Sequence, residues 1–341
     1  MCGIVAAAAE RDVVAILVSG LKALEYRGYD SAGLSVMSGS NLSRARTVGK
    51  VRELEARLEA GPMSGMTGIA HTRWATHGAP NEANAHPHLS TGSVSVVHNG
   101  IIENHAVLRE ELKAMGYRFE SETDTEVIVH LVHHFCAQGL GLRAAVQAAI
   151  RRLHGAFAIA VMSSEEPGHV IGARRGNLGA VRLCIGENFL GSAVQDLIKV
   201  TNQFSYLEEG DVVEITRSSV QVYDANEQPV ERRIMTSELS ADAVERGEYR
   251  HYMLKEIFEQ PRAVADTLEG RIANGRIMPN IFGVKSDELL RRVRHVQIVA
   301  CGTSYHAGMV ARYWLEGLAG VPCSNEGARE YRYRQAVGPA D

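Results

Sequence analysis

An α+β fold is predicted by three observations. Short apolar runs at 157–162, 169–173, 180–185, 211–215 and 219–223 follow one another with turn formers between them and no intervening helix, which is the pattern of antiparallel sheet and not of βαβ units. The helical stripes are gathered in blocks, as in layered α+β architectures. The 341 residues, 45% hydrophobic and 22% charged, suit a soluble chain of about two domains with a large core. A net charge of −4 gives neither a nucleic-acid footprint nor a basic membrane-binding surface. Five scattered cysteines without a CxxC pair fit a reducing, cytoplasmic setting. The start lacks a basic region, and Glu10-Arg11-Asp12 interrupts its apolar run, so no signal peptide is expected.

Residues 2–9 read as a buried strand, headed by Cys2. Once Met1 is trimmed, Cys2 carries a thiol and a free α-amine on one residue. The amine, with a pKa of roughly 8, can take the thiol proton, so nucleophile and base need no distant partner. A helical stripe follows at 12–26, with Val13, Ile16, Leu17, Leu21 and Leu24 on one side. The loop Arg27-Gly28-Tyr29-Asp30-Ser31-Ala32-Gly33 is either a surface turn or part of a site. After a short strand at 34–37 and a charged helix at 50–60, a strand runs into His71-Thr72-Arg73-Trp74-Ala75-Thr76-His77-Gly78. Arg73 can form a surface ion pair or grip a carboxylate through two hydrogen bonds, and Thr76 and His77 add donors and acceptors beside it.

The strand at 93–98 ends in Asn99-Gly100, which is either a hairpin turn or an oxyanion hole built from a side-chain amide and a backbone N–H. Asn104 is expected to cap a helix that stops at Gly116, and Thr123-Asp124-Thr125-Glu126 to open the next as a capping box. Asp124 is then a first-turn acid favoured by the helix dipole or a counter-charge for a substrate ammonium. Nine of the fourteen histidines lie between His71 and His134. They form no HExxH pattern, and His130, His133 and His134 lack a cysteine or carboxylate at ligand spacing, so no metal and no cofactor are expected.

A polar, acidic stretch at 239–249 reads as a linker between a domain at 1–238 and a segment at 250–341. In that segment a helix at 251–260 is expected to stop at Pro261, with a second helix at about 262–273. The strand 296–300 feeds Cys301-Gly302-Thr303-Ser304, with a helix from Tyr305 to Leu318. That turn is an ordinary strand–helix connection or an anion site suited to a small phosphate ester.

Taken in order, Met1 to Val5, Glu25 to Gly33, Ala70 to Gly78, His98 to Asn104, Ser121 to Glu126 and Cys301 to Ser304 resemble the glutamine–fructose-6-phosphate aminotransferase (isomerising) family. The first five words mark a class II glutamine amidotransferase domain of the N-terminal-nucleophile type. The resemblance implies an αββα sandwich followed by sugar-isomerase (SIS) domains of parallel α/β type. It implies that Cys2 attacks the glutamine amide and that Asn99 and Gly100 form the oxyanion hole. Arg73 would bind the glutamine α-carboxylate and Asp124 its α-ammonium. Thr76 and His77 would line the pocket, Trp74 would gate the ammonia passage, and Arg27 would orient the nucleophile's terminus. The implied substrates are L-glutamine and fructose 6-phosphate, and the full-length family is oligomeric through its isomerase half. Neither nucleic acid nor membrane is an expected partner.

The chain departs from the family at Ala6, around 174–180, at 191–196, where the familiar Ser-Asp pattern is lost, and at Arg329. These changes are expected to affect packing and not chemistry. Residues 250–341 show one convincing parallel strand and are expected to be an incomplete SIS domain with exposed apolar surface, leaving only the glutaminase half-reaction. Other readings are a stand-alone glutaminase, an amidotransferase serving another phosphosugar, or a decayed module that binds a sugar phosphate or a partner subunit.

Overall fold

The computed structural model describes residues 2–74, 78–176, 180–184, 187–192, 203–236, 249–268, 271–273, 276–278 and 286–333. Thr76, His77, the side chain of Arg27, the departures at 177–179 and 193–196 and the linker over 239–248 lie outside the described residues. The chain divides into two compact units, Met1–Tyr252 and Met253–Asp341.

Two antiparallel sheets build the first unit. Strands β1 (Gly3–Ala9), β2 (Ser31–Ser38), β3 (Asn41–Val48) and β4 (Thr67–Arg73) join β9 (Ala180–Cys184), β10 (Glu187–Gly191), β11 (Gln203–Tyr206) and β15 (Ile234–Thr236) in the order β15-β11-β9-β10-β1-β4-β2-β3. The second sheet orders β5 (His88–Ser90), β6 (Val94–Gly100), β7 (Phe157–Ser163), β8 (Val170–Arg175), β12 (Val212–Ile215), β13 (Val220–Tyr223) and β14 (Pro229–Val230) as β14-β13-β12-β8-β7-β6-β5.

The period of two along β1 explains the layering. Ile4, Ala6 and Ala8 face an inner layer with Ile69, Val97, Ala160, Met162 and Val213, so the two sheets pack through it. Val5, Ala7 and Ala9 face an outer layer with Leu17, Leu21 and Leu24 of α1 (Val14–Leu24) and Leu54 of α2 (Val51–Ala60). Each fully buried leucine contributes about 1.5–3 kcal/mol. On the far side, α3 (His105–Ala114), α4 (Glu126–Ala137) and α5 (Leu142–Arg152) cover the second sheet through Leu108, Leu112, Val127, Leu131 and Val146. The result is an αββα sandwich within the α+β class.

Two helix starts differ from the sequence expectation. Asn104 does not cap α3 with its side chain. Its Oδ1 accepts the His154 N–H at 2.9 Å and its Nδ2 donates to the Arg152 carbonyl at 2.8 Å, tying the helix to the turn before β7. The capping box at Thr123 is also absent, since no side chain caps α4. Instead the Glu126 carboxylate reaches back to the backbone N–H groups of Glu120 at 2.7 Å and Ser121 at 2.8 Å.

In the second unit, α6 (Tyr252–Leu268) runs straight through Pro261 and does not stop there. Residues 256–265 are exposed, so water can satisfy the carbonyl that loses its proline-blocked partner. After the short antiparallel pair β16 (Ile272–Ala273) and β17 (Arg276–Ile277) and then α7 (Ser286–Arg292), the strand expected at 296–300 is β18 (Val296–Ala300), and it is not alone. It pairs in parallel with β19 (Cys323–Gly327), in register from Val296↔Cys323 to Ala300↔Gly327. Helix α8 (Gly302–Trp314) begins before Tyr305, which puts Thr303 and Ser304 in its first turn. Phe258, Trp314 and Leu318 are exposed, and α9 (Ala328–Tyr333) closes the described residues.

Candidate active site

Cys2 stands at the head of β1, a central strand flanked by β4 and β10. The register Gly3↔Thr72 brings the end of β4 beside it. The Trp74 backbone N–H donates to Cys2 Sγ at 3.2 Å, and the thiol lies 3.5 Å from the Trp74 carbonyl oxygen. Asn99, near the end of β6, donates from Nδ2 to the Cys2 carbonyl at 3.0 Å. Cys2 is thus held between the ends of two strands from different sheets.

Arg73 is almost fully buried at the end of β4. Its guanidinium donates to the carbonyls of Gly78 at 3.3 Å and Ala79 at 3.4 Å. Burial lowers its pKa, and the neighbouring Cys2, Asp30, Asp124 and Glu122 offset part of that effect. Asp124 is also buried, and one carboxylate oxygen accepts the Ile102 N–H at 2.7 Å, which locks it just past Gly100. A buried cation and a buried anion near one thiol can hold the two ends of an α-amino acid.

The surrounding loops are fastened by close backbone approaches and arginine clamps. A Cβ on Gly28 would lie 2.7 Å from the Arg73 carbonyl carbon, so only glycine lets the 25–30 loop touch the end of β4. The Asp30 N–H donates to the Arg73 carbonyl at 3.0 Å. Trp74 is part-exposed and packs edge-on against Tyr29, with ring centroids 5.4 Å apart. Arg46 donates to the carbonyls of Ala83 at 3.2 Å and Ala85 at 3.0 Å, and Arg44 to that of Pro87 at 3.3 Å, holding the 78–88 loop.

Sequence reasoning missed Ser192 and His71. Ser192 lies in the stretch whose departures were expected to matter only for packing. Its Oγ sits 3.0 Å from Asn99 Nδ2 and 2.7 Å from the Ile4 N, so it belongs to the site. His71 Nε2 sits 2.9 Å from Asn99 Oδ1. The spacing of His71 and Arg73, two apart on one strand, was the available signal.

Behind the site, His71, His86, His88 and His98 are all buried. The His71 and His86 rings stack at 4.2 Å, and Thr125 Oγ1 meets His86 Nε2 at 2.8 Å and His98 Nδ1 at 2.9 Å. Burial pushes the pKa of His71 and of His88 down to about 3 and that of His86 well below its ordinary value. Among the described residues, no three His, Cys, Asp or Glu side chains are arranged to hold a metal ion.

These histidines predict acid sensitivity. Above pH 6.5 both folded and unfolded chains leave them neutral, and their contribution is fully present. As pH falls from there toward 3, the unfolded chain takes protons that the folded one refuses. Stability is then lost by up to about 1.4 kcal/mol per pH unit for each histidine. Urea unfolding midpoints should fall steeply between pH 7 and 4; a flat profile would contradict this assignment.

In the second unit, Cys301 precedes α8 at the end of β18, and Gly302, Thr303 and Ser304 are exposed on its first turn. Among the described residues, no helix is long and apolar enough to cross a membrane.

The αββα sandwich is the fold of glutamine amidotransferase domains of the N-terminal-nucleophile type. A glutamine amidotransferase domain family matches residues 71–197, and the SIS domain family matches 289–341. The structure resembles the glutamine phosphoribosylpyrophosphate amidotransferase of B. subtilis with a TM-score of 0.60 at 17% identity, covering 99% of this chain and 69% of that one. That likeness is one of fold alone. In sequence the chain is 56% identical to the glutamine–fructose-6-phosphate aminotransferase (isomerizing) of Shewanella oneidensis, covering 98% of this chain and 55% of the relative. The Pseudomonas putida enzyme of the same name is 55% identical, covering 100% of this chain and 56% of the relative. The chain is similar to the glutamine–fructose-6-phosphate aminotransferases over nearly its whole length and spans about half the length of these relatives.

Proposed function

We propose that this chain hydrolyses L-glutamine at Cys2 and supplies the ammonia for conversion of fructose 6-phosphate to glucosamine 6-phosphate. The observation that carries the reading is the grip on Cys2: an N–H on its sulfur and the Asn99 amide on its carbonyl, with buried Arg73 and Asp124 nearby. In this scheme Arg73 binds the glutamine α-carboxylate and Asp124 its α-ammonium. Residues 1–238 form the glutaminase domain, 239–249 the linker and 250–341 the SIS portion.

The chemistry is two acyl transfers. With Met1 removed, the α-amine of Cys2 takes the thiol proton, and sulfur attacks the side-chain amide carbon. The oxyanion is met by the Gly100 N–H and by the Asn99 Nδ2–H that rests on Ser192 Oγ before the substrate arrives. The C–N bond then breaks, the leaving nitrogen takes the proton, and ammonia departs, leaving a γ-glutamyl thioester. Water cleaves the thioester to glutamate and restores the thiol. Ammonia adds to the sugar carbonyl with net loss of water, balancing the water consumed. The exposed 301–304 turn supports a phosphate site by its hydroxyls at a helix N-terminus. Cytoplasmic residence fits these soluble substrates.

The deciding test is ammonia release from L-glutamine by the purified chain. Saturable turnover is expected, and glutamine binding without release would favour the decayed binding module. Asp124→Asn keeps an acceptor for the Ile102 N–H and removes only the charge. It should raise the KM for glutamine about 10- to 100-fold with a smaller change in kcat; an unchanged KM would remove Asp124 from the pocket.

A further inference from the structure

We propose that His71 is a positioning residue that sets which way the Asn99 amide faces, and so aims the oxyanion donor. The inference rests on the glutaminase reading above and adds a determinant outside the substrate's reach. His71 Nε2 lies 3.0 Å from the His98 carbonyl oxygen and 2.9 Å from the Asn99 side-chain amide. A carbonyl oxygen can only accept, so Nε2 carries the proton. The Asn99 atom facing Nε2 must then be its oxygen, whichever way an amide is drawn by default.

The other end of the amide gives the same answer independently. The Cys2 carbonyl oxygen lies 3.0 Å from the second Asn99 atom and also only accepts, so that atom is Nδ2. Ser192 Oγ, 3.0 Å from Nδ2, fits as an acceptor there, because its own proton has the Ile4 carbonyl at 3.4 Å. Every polar contact in the chain from His71 through Asn99 to Ser192 therefore pairs a donor with an acceptor. Turning the Asn99 amide over would set N–H against N–H at His71 and oxygen against oxygen at Cys2.

His71 itself has little freedom to change role. It is 1% exposed, its ring is stacked on His86, and β4 holds it in register opposite Ile4 of β1 and Gly33 of β2. Its neutral state, enforced by burial, leaves one N–H, and the His98 carbonyl selects Nε2 to bear it. His71 thus holds the oxygen end of the Asn99 amide and the Cys2 carbonyl its nitrogen end, so that the loss of His71 frees the amide to tilt about the remaining contact.

The test uses three substitutions, with turnover and inhibitor binding measured on each. His71→Leu removes the donor. It should lower kcat for ammonia release about 10- to 100-fold and leave the KM for glutamine within about threefold, because Arg73 and Asp124 still hold the amino-acid end. His71→Gln can place an amide N–H where Nε2 stood and should recover most of the rate, whereas His71→Asn is too short to reach and should not. The discriminating readout is the ratio of affinities for a glutamine analogue with a γ-aldehyde, which forms a tetrahedral adduct on sulfur, and for glutamate, which does not. Loss of aim weakens the aldehyde at least tenfold more than glutamate, while general damage to the pocket weakens both alike. Equal weakening, or a His71→Leu enzyme within twofold of wild-type kcat, would overturn the proposal. If His71→Leu does not fold, the glutamine and asparagine variants decide the matter, and equal rates in those two would overturn it. A wild-type chain that releases no ammonia would refute the glutaminase reading instead.

Discussion

Gly100→Ala is expected to be the most damaging single methyl group that can be added to this site. The residue has φ +140°, and a Cβ there would lie 2.1 Å from the Ala156 carbonyl oxygen and 2.8 Å from the Phe157 Cα. Both obstacles are backbone, so no side chain can swing aside. Gly100 pairs with Phe157 across β6 and β7, and relief of the clash must part the two strands. Strained backbone and overpacking together should cost roughly 3 kcal/mol or more. The same shift moves the Gly100 N–H, one of the two proposed oxyanion donors, and should cut ammonia release on the order of 100- to 1000-fold. Thermal unfolding and kcat, measured together, check both parts. A variant that kept wild-type kcat would exclude the Gly100 N–H from the reaction.

Cys2→Ala should bring glutamine hydrolysis to background, a loss of at least about 1000-fold, because no other residue in the scheme supplies the nucleophile. The fold should hardly notice. Cys2 is only part-buried, and Ala leaves the Cys2 backbone carbonyl in place for Asn99. Glutamine should still bind, since Arg73 and Asp124 are untouched. An electrophilic glutamine analogue should label wild-type Cys2 and leave the alanine variant unlabelled. Residual turnover within tenfold of wild type, or labelling at Cys136 or Cys301, would place the chemistry elsewhere.

Much of this was legible in the residues because local signals and burial agreed. The strands expected at 157–162, 169–173, 211–215 and 219–223 appear as β7, β8, β12 and β13, where period-two apolar runs face closed layers. Cys2, Arg73, Asn99 and Asp124 are chemically able residue types, so their identities alone raised the question of a site. His71 and Ser192 did not, because their place depends on the registers Ile4↔His71 and Val5↔Gly191, which pair residues far apart in the chain. Strand β19 escaped notice for the opposite reason: Cys-Ser-Asn-Glu-Gly has a single buried residue and no apolar alternation to betray it. Helix α6 was divided at Pro261 because proline removes one helical N–H, and in this exposed helix water can take the freed carbonyl.

The strand headed by Cys2 has two neighbours that lie at very different distances along the chain. Its partner on one side, β4, ends at Arg73, and its partner on the other, β10, does not begin until Glu187. Pairing over such distances forms more slowly than local helices, so the second flank of β1 is expected to close after the intervening helices have folded. The sheet around Cys2 is therefore complete only once the 187–191 segment is paired beside β1.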